Sequence, residues 1–445
     1  MPFSRRGFFA TTGAALLAGC NEADQPTREE TVTPVDVPLS SDAALAEAAD
    51  VEVPAIPSAV IVSDEHQADL VARAEGLVET ADEEATSADD VELSNVWGSL
   101  RNPENVLGRA REAVETLRET RSRREYRRAI SRLEDVGTVL GYVRAETGEL
   151  DVEAVRAALE REQAALDALQ DRFEYRFRAP VDRYLPTITA AESGIERTGN
   201  ELSQAERGVE GLDSGPEPVT SQDIAGAWAR IELVRLWRTN AVGFARTAVD
   251  PSRPLRRDAV TDVLGTQLDE VASQELLRDE DAGSVQVPQR IRSIVSTVRS
   301  RRSQLLRGAD PGDPANPSTG KLLFNSLQVR AEIEAFGAAG ELTFELLERE
   351  TFPAKRLVSE KREAVRRLEA LTGAAPLPRR LGRLAEDMVT FGDRLKSASR
   401  GGNPVATAFF VYVAAREYVD LALDRAETLT SALEAPDDTG SSDNS

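Results

Sequence analysis

Asp151-Val152-Glu153-Ala154-Val155-Arg156-Ala157-Ala158-Leu159-Glu160-Arg161-Glu162 opens the stretch that decides the fold, and it runs on to Arg176. Val152, Leu159, Leu166 and Phe173 recur every seven residues, while Val155 and Leu169 fill a second seam that Glu162 and Arg176 interrupt. A seven-residue apolar period makes a helical stripe suited to a partner helix at a shallow crossing angle. Pro180 and Pro186 are expected to bend or end that helix. Upstream, a long helix is expected from about Pro103 to Ala145, with Leu107, Ala110, Val114 and Leu117 on one face. Downstream, Asn403-Pro404 is a helix start, an N-cap residue followed by proline in the first turn. The apolar run Val405 to Ala415 that follows it is far below the ~20 residues that span a bilayer, so it reads as a central buried helix. The expected fold is all-α: long antiparallel helices in a bundle with coiled-coil-like stretches.

Composition supports this and excludes much else. The 445 residues carry 54 Lys+Arg against 77 Asp+Glu, a net charge of -23, with one His and one Cys. One histidine and one cysteine exclude most zinc sites, haem attachment, iron–sulfur clusters and an internal disulfide. The aromatic share of 5% argues against an all-β domain. The acid excess repels phosphate backbones, which argues against a nucleic-acid partner. Lysine is confined to Lys321, Lys355, Lys361 and Lys396. This acid-rich, Lys-poor composition resembles that of salt-loving archaea, where dense carboxylates keep a surface hydrated in concentrated salt.

The first twenty residues read as an address. Ser4-Arg5-Arg6-Gly7-Phe8-Phe9-Ala10 sets a positive region before the short apolar run that ends in Leu17-Ala18-Gly19-Cys20. Arg5, Arg6 and Phe8, with Ser4, resemble the twin-arginine export signal, although Phe9 and Ala10 replace its usual Leu and Lys. Leu17, Ala18, Gly19 and Cys20 resemble a lipobox, in which Cys20 would become the lipidated amino terminus. Together they resemble the signal of twin-arginine-exported lipoproteins of haloarchaeal type, a likeness confined to residues 1–20. It implies a membrane partner through lipid on Cys20 and a place on the outer face of the cytoplasmic membrane.

The expected organisation is a signal over 1–20, a disordered acidic tether over 21–60, a first helical part over 61–212, a second over 221–435 and a disordered tail over 436–445. The boundary is placed in the Gly208 to Ser221 loop in preference to Gly308–Gly320, both rich in Gly and Pro; a single elongated bundle is the alternative.

Candidate chemistry is sparse. Di-iron bundles need Glu-x-x-His pairs, and Ser63 stands three residues before His66, the only histidine. His66 is expected at an exposed helix start. Ser318-Thr319-Gly320-Lys321-Leu322 misses a phosphate loop because Leu322 replaces the Mg²⁺-binding hydroxyl. Asp279-Glu280-Asp281-Ala282-Gly283 lacks the remaining ligands of a calcium loop. Glu332, Glu334, Glu341, Glu345 and Glu348 share a helix and read as a solvated face. Lys355, Arg356, Lys361, Arg362, Arg366 and Arg367 read likewise. The unusual feature is Arg118, Arg121, Arg123, Arg124, Arg127, Arg128 and Arg132 inside an acidic chain. Arg121, Arg124 and Arg128 would share one side of a helix and could meet an anionic partner, unless they pair locally with Glu115, Glu119 and Glu125. No cofactor and no metal site are expected. The functional expectation is a non-catalytic, lipid-anchored component that binds or scaffolds another envelope protein. The alternatives are an exported carboxylate-dependent hydrolase and a small-ligand-binding lipoprotein.

Overall fold

A computed structural model describes residues 40–88, 103–173, 178–214, 218–249, 257–277, 286–308, 319–349, 354–395 and 403–434. The signal residues Arg5 to Cys20, residues 21–39 of the expected tether and the 436–445 tail lie outside them. The described residues are helical nearly throughout, with no strand among them, so the fold is all-α. They divide into two compact units.

Unit 1 covers 60–178 and 187–254. It contains α1 (Asp64–Ser87), α2 (Pro103–Glu119), α3 (Arg123–Arg132), α4 (Glu134–Glu146), α5 (Val152–Arg172), the greater part of α6 (Val181–Ser214), and α7 (Ser221–Ala248). Three of the starts are capped by side chains. The Ser63 hydroxyl accepts the His66 N–H at 3.1 Å, and the Asp151 carboxylate accepts the Ala154 N–H at 2.8 Å. Thr220 and Asp223 cap one another reciprocally at the start of α7, which holds the Asp223 carboxyl below its usual range. The stripe of α5 faces inward: Val155, Leu159 and Leu166 are buried, with Leu169 and Phe173 packed at the margin.

Helix α7 is the axis of this unit, buried on nearly every side from Ala225 to Ala248. Its neighbours approach through glycine. A Cβ on Gly141 of α4 would lie 2.9 Å from Trp228 Cβ, and one on Gly194 of α6 would lie 2.9 Å from Ala241 Cβ. The missing side chains let the backbones close and their dispersion contacts multiply.

Three boundaries differ from expectation. Helix α7 packs in unit 1, so the loop before Ser221 is no division between units; Ile231, Leu233, Val234, Leu236 and Trp237 are buried there against helices that precede it in the chain. The helix expected over 103–145 is three, broken at Thr120–Ser122 and at Leu133, because Tyr126, Ala129 and Ile130 must turn into the core. Pro186 lies inside α6 and neither ends nor precedes it, its lost N–H falling in the second turn.

The described residues of unit 2 fall within 40–59, 179–186 and 257–434. Its described helices are α8 (Ser40–Ala49), α9 (Arg257–Ser273), α10 (Gln289–Gly308), α11 (Thr319–Glu348), α12 (Ala354–Thr372), α13 (Pro376–Asp393) and α14 (Pro404–Glu434). Here α14 is central, packed by α11, α12 and α13. Asn403 accepts the Ala406 N–H at 3.0 Å, and every residue from Val405 to Ala415 is buried. Residues 40–49, expected in the disordered tether, form α8 instead, because Ala44, Leu45 and Ala48 give it an apolar face buried on α12. Among the described residues no helix is long and apolar enough to cross a membrane.

Candidate functional site

Polar chemistry in unit 1 gathers around α7. Glu232 is 3% exposed and accepts from Arg235 at 2.6 Å and from Arg73 of α1. Glu162, the residue that interrupts the apolar seam of α5, is buried and accepts from Arg235 at 2.9 Å and Arg238 at 3.0 Å. The interruption is thus an ion site facing α7. The Arg235 guanidinium also lies 5.1 Å from the Trp228 ring centre. Farther along, buried Glu201 of α6 takes Arg197 at 2.5 Å and Arg230 at 3.2 Å. Each buried carboxylate meets two arginines, the multiple charge-assisted bonding that offsets loss of water.

His66 is not at an exposed start. It is 1% exposed, with Nε2 3.1 Å from Asn240 Oδ1 and the ring edge-on to Tyr126 and Phe244. Burial pushes its pKa down to about 4, against the opposing effects of Asn240 and Asp69. A neutral ring sealed among aromatics is a core element.

Unit 2 repeats the pattern. Glu332, expected on a solvated face, is wholly buried and takes Arg301 of α10 at 2.6 Å and Gln328 at 2.8 Å. Burial raises its pKa, and its Oε2 and the Tyr418 hydroxyl, both buried, have no hydrogen-bond partner among the described residues. Glu334 likewise turns inward to Arg425 at 2.8 Å. Lys361 is also no surface residue: its side chain is wholly buried, and Asp393 accepts from it at 2.5 Å and from the Tyr412 hydroxyl at 2.8 Å. Periodicity places Arg362 and Arg366 outward correctly, and Lys361 sits on the opposite, apolar side with Leu357 and Leu368.

The arginine cluster divides. Arg121 lies in the break between α2 and α3 and pairs with Asp64, so it does not share a helix with Arg124 and Arg128. Arg128 pairs with Glu125 at 2.9 Å, and Arg118 with Glu115 at 2.9 Å and with Glu75. Arg124 and Arg127 are exposed on α3 opposite the buried Tyr126 and Ile130. The phosphate-loop near miss ends in the first turn of α11, where Leu322 is core; Asp279 to Gly283 lies outside the described residues. Among those described, no group of His, Cys, Asp and Glu could hold a metal ion.

The molecule so defined is an all-helical, two-unit protein whose buried charges are spent on one another. Residues 65–258 match the model of a family described as Domain of unknown function (DUF8262). That match runs from the second residue of α1 to the second residue of α9, nearly coextensive with unit 1 and with α7 inside it. No curated protein and no solved structure matches the chain.

Proposed function

We propose that the chain is a lipid-anchored protein of the outer face of the cytoplasmic membrane whose helical body binds or scaffolds another envelope component without catalysis. The observation that carries the anchor is the order of Arg5, Arg6 and Phe8 before Leu17-Ala18-Gly19-Cys20 in the sequence. A two-chain anchor at ~0.8 kcal/mol per buried CH₂ would retain the protein stably. Support for a binding role comes from the disposition of charge. Glu162, Glu201 and Glu232 are clamped by arginines inside the fold, whereas Arg124 and Arg127 stand outward where an anionic partner could reach them. The test is Cys20→Ser in the native cell, with fractionation and intact-mass measurement, then mild detergent extraction in molar salt. Release of the variant from the membrane, together with a stoichiometric companion on the wild type, is the expected result. Normal processing and retention of the variant would end the anchor reading. Wild-type protein recovered alone would end the scaffold reading.

A further inference from the structure

Helix α10 is the most one-sided charge feature among the described residues. Its 20 residues contain Arg290, Arg292, Arg299, Arg301, Arg302 and Arg307 and no Asp or Glu, in a chain of net charge -23. Arg301 turns inward to Glu332, but Arg292, Ser296 and Arg299 form an exposed stripe at helical spacing. This stripe is one wall of a groove of about 830 Å³.

The other wall is the end of α9 and Gln274, Glu275 and Leu276 that follow it. That wall is pinned. Gln274 donates to Glu334, and the Leu277 side chain fills the space that a Cβ on Gly340 would take, 2.6 Å away. Arg302 donates to the Val271 and Ala272 carbonyls at 3.0 and 2.6 Å. It therefore covers the negative end of α9, which would otherwise repel an anion. Among the described residues no ion pair is made by Arg292 or Arg299, Arg299 reaches the Leu277 carbonyl at 3.5 Å, and Glu275 is the one acid lining the groove.

We infer that this groove binds an extended acidic peptide segment of a partner protein, with carboxylates on Arg292 and Arg299. It deepens the binding role proposed above by naming the partner's chemistry. The fit is metrical as well as electrostatic. Seven helical residues separate the two arginines by about 10.5 Å along the axis. A segment in the extended polyproline II conformation covers that in about three residues, and its three-residue turn sets i and i+3 on one side, so acids at i and i+3 would meet both. The partly enclosed site loses less attraction to salt than an open surface does.

The test uses the full chain in detergent at the salt that preserves its helicity, and a fluorescent peptide with Asp or Glu at i and i+3, read by anisotropy. Saturable binding is expected, weakened at least about tenfold in the Asn/Gln peptide and in Arg292→Glu/Arg299→Glu, with circular dichroism unchanged. Ser296→Trp, which obstructs the groove without altering charge, should lose binding equally and covers the case of a misfolded double variant. Equal affinity across these proteins overturns the inference. So does competition by inorganic phosphate at concentrations as low as the peptide's, which would mark a small-anion site. Co-purification separates this inference from the scaffold reading. A companion recovered with wild type and the double variant alike leaves the scaffold standing and removes the groove. Peptide binding with no companion at all leaves the groove and removes the scaffold.

Discussion

The ring of His66 occupies the place of a side chain at position 243: a Cβ on Gly243 would lie 2.0 Å from His66 Cδ2. Helices α1 and α7 meet there across a gap one imidazole thick. Gly243→Ala should therefore destabilise unit 1 by roughly 1–3 kcal/mol through overpacking, despite the gain in helix propensity. Chemical denaturation should show that loss. It should shrink when His66→Ala is combined with it, since the second change vacates the space; an additive pair would contradict the contact.

The same ring makes stability depend on pH. Its folded pKa of about 4 lies below the ordinary 6.5, so the unfolded chain binds the proton more readily. The contribution is complete above the unfolded value and falls away as pH drops toward the folded one. It amounts to about 3 kcal/mol for a shift of this size. Denaturant melts at pH 7 and pH 5 should show a wild-type loss that His66→Gln lacks. Parallel losses in the two proteins would remove His66 as the cause.

Glu232 accepts from Arg73 and Arg235 while being almost wholly buried. Glu232→Ala should cost about 1–3 kcal/mol, because the half-exposed Arg73 loses its carboxylate and Arg235 keeps only Glu162. A denaturation midpoint within error of wild type would refute this.

Lys361 and Asp393 should respond unequally. Asp393→Ala leaves a fully buried ammonium with no counter-charge and should cost about 3 kcal/mol or more. Lys361→Met leaves Asp393 with the Tyr412 hydroxyl and some solvent, and should cost about 1 kcal/mol. Equal losses would mean that the pair is not buried as described.

Dialysis from molar salt into dilute buffer should reduce helicity, since a net charge of -23 is no longer screened to the ~3 Å of concentrated salt. Circular dichroism unchanged by dialysis would dispose of the salt-adapted reading of the composition.

Periodicity identifies the helices well where a seam is long, as in Val155, Leu159 and Leu166, and where a cap is explicit, as at Asn403. It fails where the deciding partner is distant in sequence. Glu162 looks like a flaw in a heptad until Arg235 and Arg238 stand opposite it. His66 looks polar and terminal until Asn240 and Phe244 enclose it. The break at Thr120–Ser122 has no Pro or Gly to announce it, and it arises because α3 must turn Tyr126 inward. The acid-free run from Gln289 to Gly308 drew no reading from the sequence, because its groove exists only once Gln274, Glu275 and Leu276 stand opposite it.

Glu162, Glu201, Glu232 and Glu332 each neutralise inside the fold against arginine. The excess of acid is therefore borne by the periphery of each unit, which has the electrical make-up of a charged colloid: a compensated heart within an anionic corona. Such a particle should resist clumping with its own kind in brine. It can still accept a visitor at the few arginine-rich openings in that corona.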